Sequence, residues 1–310
     1  MTRFRLGLLC WIGPALWGAL ACAPKASTTP AVPLAAGSKS VFTEPAPGGP
    51  GILVWGRTAK EEPRTYRVSD DGSGHVIDER PGIWLNTSKG ELILHIETKQ
   101  IELSGCSIDE TPPQRGQGTL SIVELRTPDG RTAQTLLGAG FDEFDVNDLE
   151  HGAAVLGTIG SVVFLNEHTY VYACGAHGNT TAGFLAWDAE IGKAIDLLAD
   201  VPNQAVLAKK ANALINAEAG DDASVDDEVL PEIVQLLPVY NGRGVLRLDG
   251  QWMRSACYAC SDGLWSSYSR SAILETGFLP PRFASYAVPT VSIKVFLETH
   301  PGFEMGGFSR

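Results

Sequence analysis

The sequence predicts an α+β fold made mostly of antiparallel strands, and three observations carry that expectation. Apolar and polar residues alternate with a period of two along many short stretches. One stretch, 203–218, carries the helical period instead. Strands come before and after that helix rather than alternating with helices, which speaks against a parallel α/β sheet.

In chain order, runs at 52–57 and 64–69 open the strand pattern. Leu92, Leu94 and Ile96 then alternate with Ile93, His95 and Glu97, the signature of a half-buried strand. A further run at 119–127 ends in Pro128-Asp129-Gly130, a tight hairpin turn. Runs at 160–165, 168–174 and 183–187 follow. After Asp200 and Pro202, Leu207, Ala211, Leu214 and Ile215 recur at i, i+4, i+7 and i+8, and Gly220 stops the helix at 203–218. A second, short helix near 231–237 opens at Pro231, closes before Pro238 and buries Ile233, Leu236 and Leu237. Strands are expected again at 244–249 and over 291–298, where Val291, Ile293, Val295 and Leu297 alternate with Ser292, Lys294, Phe296 and Glu298. There is no internal repeat. Trp187-Asp-Ala-Glu-Ile-Gly-Lys193 has the look of a propeller-blade turn, but it occurs once and a propeller needs several copies.

The N-terminus supplies an address. Arg3 and Arg5 precede an uncharged run from Leu6 to Ala21, shorter than the roughly 20 residues a helix needs to cross a bilayer, so residues 1–21 read as a signal peptide that is removed. Gly18-Ala-Leu-Ala-Cys22 resembles the bacterial lipoprotein signal, in which the cysteine is acylated with palmitate-type chains and becomes the mature N-terminus. The plainer alternative is an ordinary secretory signal. Ala23 in place of Asp implies, by the same resemblance, transit to the outer membrane. Residues 22–50, rich in Pro, Ala, Ser and Thr, bury too little to fold and read as a tether. Beyond it we expect a strand-rich subdomain at 51–169, an α+β recognition domain at 170–300 and a C-terminal tail at 301–310.

Losing the signal takes away two arginines and moves the formal charge from −12 to −14. Such a field makes nucleic acid and anionic headgroups poor partners, and the membrane is reached only through the N-terminal lipid. Of the six cysteines, Cys10 leaves with the signal and Cys22 is lipidated. Cys106, Cys174, Cys257 and Cys260 remain, an even number in an oxidising compartment, which favours disulfides and leaves three connectivities open. Cys257–Cys260 with Cys106–Cys174 is the preferred pairing. The Cys-Tyr-Ala-Cys spacing equally suits a thiol redox pair or half of a zinc knuckle, but a second Cys-x-x-Cys is missing and no helix clearly starts at Cys257.

The sharpest local pattern runs from Tyr170 to Leu198: strand, glycine-bracketed loop, strand, then an Asp-x-x-x-Gly-Lys turn. Its Gly175-Ala176-His177-Gly178-Asn179 core and the following Trp187-Asp188-x-x-x-Gly192-Lys193 resemble the extracytoplasmic domain shared by lysozyme-sensing anti-sigma factors and by the non-catalytic region of some peptidoglycan deacetylases. Ser261-Asp-Gly-Leu264 and Leu279-Pro-Pro-Arg-Phe-Ala-Ser-Tyr-Ala287 agree with that family's later segments in order, so the resemblance spans about 170–298. This chain departs from it at Trp187 for Phe, at Cys174 for Gly and at Ala287 for Gly. No anti-sigma module or deacetylase domain accompanies the match. The resemblance therefore implies an envelope-exposed recognition domain, with Gly175, Ala176, His177, Gly178, Asn179 and Trp187 as binding candidates.

His177, between glycines, could serve as a base or metal ligand, or simply hold its loop through hydrogen bonds to nearby carbonyls. None of the six histidines sits in a His-x-x-x-His or His-Glu-x-x-His arrangement. The acidic stretches 142–150 and 221–228 lack EF-hand spacing and read as solvated loops that attract basic partners. Nucleophile elbows, Ser-x-x-Lys motifs and phosphate-binding loops are missing, so no catalytic residue, metal or cofactor is assigned. The leading function is an outer-membrane lipoprotein that binds a basic protein such as a lysozyme-type glycosidase, or peptidoglycan. The rivals are a metal-assisted hydrolase using His177 and a purely structural envelope lipoprotein. A deep pocket gathering His177 and carboxylates would favour the hydrolase; a flat acidic face would favour binding.

Overall fold

The computed structural model describes residues 50–59, 61–105, 115–138, 146–172, 178–219, 229–241, 244–255 and 269–310, with the backbone alone at Asn179, Ala219 and Ser255. Three sheets and two α-helices account for most of them. The first sheet orders β15 (Glu304–Ser309), β1 (Ile52–Arg57), β2 (Arg64–Val68) and β3 (Gly74–Val76), all antiparallel. The second runs β11 (Lys193–Ile195), β10 (Asn179–Asp188), β9 (Val162–Tyr172), β8 (Asp148–Ile159), β6 (Gly116–Arg126), β5 (Gly90–Leu103) and β4 (Ile83–Thr87). The third is a meander of β12 (Glu232–Tyr240), β13 (Leu246–Ser255) and β14 (Ser269–Glu275).

β6 makes the large sheet fork. One edge of it pairs with β5 along its whole length, while the other holds β8 in parallel at residues 117–120 and β7 (Thr132–Leu137) in antiparallel at 123–126. The turn into β7 is the expected Pro128-Asp-Gly130, closed by Gly130 N–H to the Thr127 carbonyl at 2.8 Å, with Gly130 at φ 87° where a side chain would be strained. Beyond the fork β9 is covered on both faces, which explains its unbroken Val162-Val-Phe-Leu165 run. Val162 and Phe164 join a core with Leu207, Ala211, Leu236, Trp252 and Phe283. Val163 and Leu165 join another with Trp55, Leu85, Leu94 and Val123. A third core, of Val54, Val68, Ile293, Phe296 and Phe308, lies on the first sheet.

The helix expected at 203–218 is α1 (Gln204–Ala219). It turns Leu207, Ala208, Ala211 and Ile215 inward, while Leu214 is half exposed. Four expectations need correction. The short helix at 231–237 is strand β12: Ile233, Leu236 and Leu237 fit a helical stripe, but Gln235 and Leu236 are both buried, so the strand is covered on both sides and shows no alternation. The strand at 291–298 is α2 (Val291–Thr299). Thr290 caps it by accepting from Ile293 N–H, Val291 is left 75% exposed, and Ile293 and Phe296 point into the core at i and i+3. Residues 304–309, read as a tail, are β15, whose Phe308 and Ser309 are buried against β1. The boundary drawn between 169 and 170 falls inside β9, in a continuous ladder, and residues 48–310 form one compact unit.

Candidate functional site

The Asp-x-x-x-Gly-Lys turn is a structural knot. Asp188, 2% exposed, accepts from Ser161 Oγ at 3.2 Å and from Glu190 N–H at 3.0 Å through Oδ1, while Oδ2 receives Arg282 Nη2. Gly192 N–H donates to the Asp188 carbonyl at 2.8 Å and closes the turn. Arg282 lies on the 3-10 turn Pro281–Tyr286, within the Leu279–Ala287 stretch, and its neighbour Phe283 is buried in the core. Two motifs 94 residues apart thus meet in one ion pair. Trp187 is half-buried; its indole N–H donates to Gln134 Oε1 at 2.7 Å, and Gln134 in turn donates to the Ala189 carbonyl at 2.8 Å, tying β10 to β7. That geometry accounts for the tryptophan without a ligand.

The glycine-bracketed loop connects β9 to β10. Gly175, Ala176, His177 and Cys174 lie outside the described residues, as do Cys22, Cys106, Cys257, Cys260 and both acidic stretches apart from 146–150. Gly178 is buried against the Tyr170 ring, which occupies the space a Cβ would need. Asn179 starts β10 opposite Val171.

At the base of this loop the strands bring together a surface that sequence reasoning did not assemble. Glu102, Gln117, Asp148 and Tyr172 are direct partners across β5, β6, β8 and β9. One step along, Gln100, Thr119, Glu150, Tyr170 and Thr180 form a parallel row that reaches β10. Direct cross-strand partners point to the same side of a sheet, so the two rows make one face. Gln100, Glu102, Gln117, Asp148, Glu150 and Thr180 are exposed, and both tyrosines are partly so. The opposite side packs Leu103, Val146 and Leu149 with Ile101 and Val171 into a small apolar cluster. On that side His151, 1% exposed, meets Glu167 at 2.8 Å. The polar face carries three carboxylates, one of them bridged to Arg115 at 3.2 Å, to one side of the two β9 phenol rings, which offer flat contact area at little entropic cost. The signal for it was faint: strand runs were expected at 160–165 and 168–174, within β9, but β8 was not read as a strand and the register against β5 and β6 could not be read.

A cleft of about 610 Å³ opens elsewhere, between the first sheet and β4, β5 and β8. Its lining is largely apolar, including Trp55, Ile83, Leu94 and Met305, with Arg57, Glu62 and Glu304 also bordering it. The Arg57–Glu304 pair spans 3.6 Å with both side chains about two-thirds exposed. Of the predicted binding residues, Gly178 and Trp187 do not line this cleft. Among the described residues, no group of three or more His, Cys, Asp or Glu side chains could hold a metal ion.

No protein-family model matches the chain, and no curated protein matches it. Among solved structures, a DUF3298 family protein from Pseudomonas aeruginosa PAO1 is 16% identical with a TM-score of 0.34, over 65% of this chain and 96% of that one. A DUF3298 family member from Bacteroides fragilis NCTC 9343 is 9% identical with a TM-score of 0.32, over 66% of this chain and 98% of that one. Both are distant likenesses, and neither carries a functional argument.

Proposed function

We propose that the chain is an envelope-exposed lipoprotein, held in the outer membrane through acylated Cys22, whose folded region binds a basic protein through the acidic and aromatic sheet face below the β9–β10 loop. The observation that supports this most is the pair of cross-strand rows, which put Glu102, Asp148 and Glu150 on the same exposed side of the sheet as Tyr170 and Tyr172. A chain of net charge −14 after signal removal steers a cationic partner from a distance, and the tyrosines then supply short-range contact. The motif resemblance around 170–198 favours a lysozyme-type glycosidase as that partner, with peptidoglycan as the second ligand to try. The Gly175–Asn179 segment connects the same strand pair and would set specificity.

Calorimetric titration of the chain with a lysozyme-type glycosidase, and separately with peptidoglycan fragments, tests this reading. Saturable binding to the glycosidase that weakens with salt is expected, because the screening length is only about 8 Å at 0.15 M. Absence of binding to both ligands, together with metal-dependent hydrolysis or deacetylation lost in His177→Ala, would replace it with the hydrolase reading.

A further inference from the structure

Two β-bulges border the cleft between the first sheet and β4, β5 and β8. Across β1 and β15, Trp55 pairs with Gly307 and Gly56 with Met305, which leaves Gly306 outside the register. Across β8 and β9, Val155 pairs with Leu165 and Gly157 with Phe164, which leaves Leu156 outside it. Gly306 and Leu156 both line the cleft, and bulges are placed where a strand must re-aim its side chains next to a site. The walls are fixed from behind. Trp55 is held by its bond to Thr158 Oγ1 at 2.7 Å, and its ring fills the space a Cβ at Gly306 would need. Gly82 N–H donates to the Pro63 carbonyl at 2.9 Å and the Thr65 hydroxyl to the Gly82 carbonyl at 2.9 Å, so Pro63 and Pro81-Gly82 move as one wall. A volume of about 610 Å³ within such walls is a preformed space of small-ligand size.

We infer that this cleft binds a single-chain amphiphile with a zwitterionic head. The lining divides by depth. Trp55, Ile83 and Leu94 are buried and Ile96, Val155 and Met305 extend them, so the inner surface is almost wholly aliphatic. Arg57, Glu62 and Glu304 are exposed and carry both signs of charge. An alkyl chain matches the inner surface, and each methylene taken out of water there tightens binding about fourfold. The head matches the mouth: Arg57 and Glu304 approach only to 3.6 Å, beyond hydrogen-bond distance, so the guanidinium can turn to an anionic oxygen and the carboxylates to an ammonium. The site is separate from the acidic sheet face and does not rest on it.

Calorimetric titration of the full chain with octylphosphocholine and decylphosphocholine, both below the concentrations at which they form micelles, tests the assignment. Saturable binding is expected, about fifteenfold tighter for the longer chain. Octyl glucoside, which has the tail and a neutral head, should bind more weakly, and phosphocholine without a tail should not bind. Ile96 is 38% exposed, so Ile96→Gln should keep the wild-type midpoint in urea and weaken both phosphocholines about fivefold. Arg57→Gln/Glu304→Gln, also at exposed positions, should remove the advantage of octylphosphocholine over octyl glucoside. No saturable binding, equal affinity for the two chain lengths, or undiminished binding by a folded Ile96→Gln chain would overturn the site. Octyl glucoside binding the wild type as tightly as octylphosphocholine would overturn the zwitterionic head.

Discussion

Adding one methyl group at Gly307 should destabilise the protein by about 2–5 kcal/mol, and the structure shows where that cost arises. A Cβ at this position of β15 would lie 2.5 Å from the Thr158 carbonyl oxygen and 2.9 Å from Trp55 Nε1, and closer still to Thr158 Oγ1. It would press into the buried hydrogen bond that Trp55 Nε1 makes to Thr158 Oγ1 at 2.7 Å, the link between β1 and β8. Ordinary contact needs about 3.5 Å, so a gap of roughly 1 Å must open. Thr158 is 0% and Trp55 6% exposed, which leaves neither room to swing aside. Overpacking accounts for about 1–3 kcal/mol, and a buried donor or acceptor left without its partner for a similar amount. Urea unfolding followed by tryptophan fluorescence would read the loss as a lower midpoint at unchanged slope. Thr158→Ala combined with Gly307→Ala should cost less than the sum of the two single changes, because the hydroxyl that blocks the methyl is gone. A loss below about 0.5 kcal/mol for Gly307→Ala, or strict additivity in the double variant, would refute the close packing of Gly307 on the Trp55–Thr158 hydrogen bond.

Three further outcomes are expected. Stability should fall at both ends of the pH scale. Hydrogen bonds hold the carboxyls of Asp71 (from Ser73), Asp78 (from Arg80), Glu124 (from Arg126), Asp129 (from Thr127) and Glu190 (from Ser88) below their ordinary range, so what they contribute is complete above 3.8–4.5 and fades as pH drops through the lower folded values. Burial pushes the Tyr240 phenol far above 10.0, so stability is lost once pH rises past 10.0, where the unfolded chain ionises and the folded one does not. Tyr240→Phe, which forgoes the bond to the Thr158 carbonyl at 3.0 Å, should cost about 1 kcal/mol at neutral pH and blunt the alkaline loss in a Tm-against-pH series. Unreduced peptide mapping should find no free thiol at Cys106, Cys174, Cys257 or Cys260, and removal of the longer-range bridge should cost about 2–5 kcal/mol; four alkylatable thiols would contradict it. Cys22→Ser should release the chain from the membrane fraction or leave it unprocessed, and unchanged retention with normal processing would rule out the lipid anchor.

β1, β2, β5, β6, β9, β10 and β13 were legible because half-buried strands write alternation into the sequence, as β5 does at Leu92 and Leu94, while β4, β8 and β14 were not read. α1 was legible for the corresponding reason at the helical period. Errors came where alternation and helical spacing coincide. Ile233, Leu236 and Leu237 satisfy a helix, yet β12 is covered on both sides, while Val291, Ile293, Val295 and Leu297 satisfy a strand although Thr290 caps a helix there. The motifs singled out in the sequence were legible as residues but not as jobs. Asp188 and Arg282 stood out in two separate patterns, and their ion pair needs the third dimension. The acidic face was illegible for a stricter reason: its members come from five strands, and a shift of one residue in any ladder would turn those side chains to the other side of the sheet.

Whether the face carrying Asp148 and Glu150 receives a basic partner is decided by charge reversal. The affinity of a lysozyme-type glycosidase is to be compared between the wild-type chain and Asp148→Lys/Glu150→Lys, at low and at high salt. Both positions are exposed, so the double variant should keep the wild-type midpoint in urea. Reversal should weaken binding at least about tenfold at low salt, chiefly through slower association, and the gap should narrow as salt rises. Equal affinity of the two folded chains at low salt would contradict an acidic docking face.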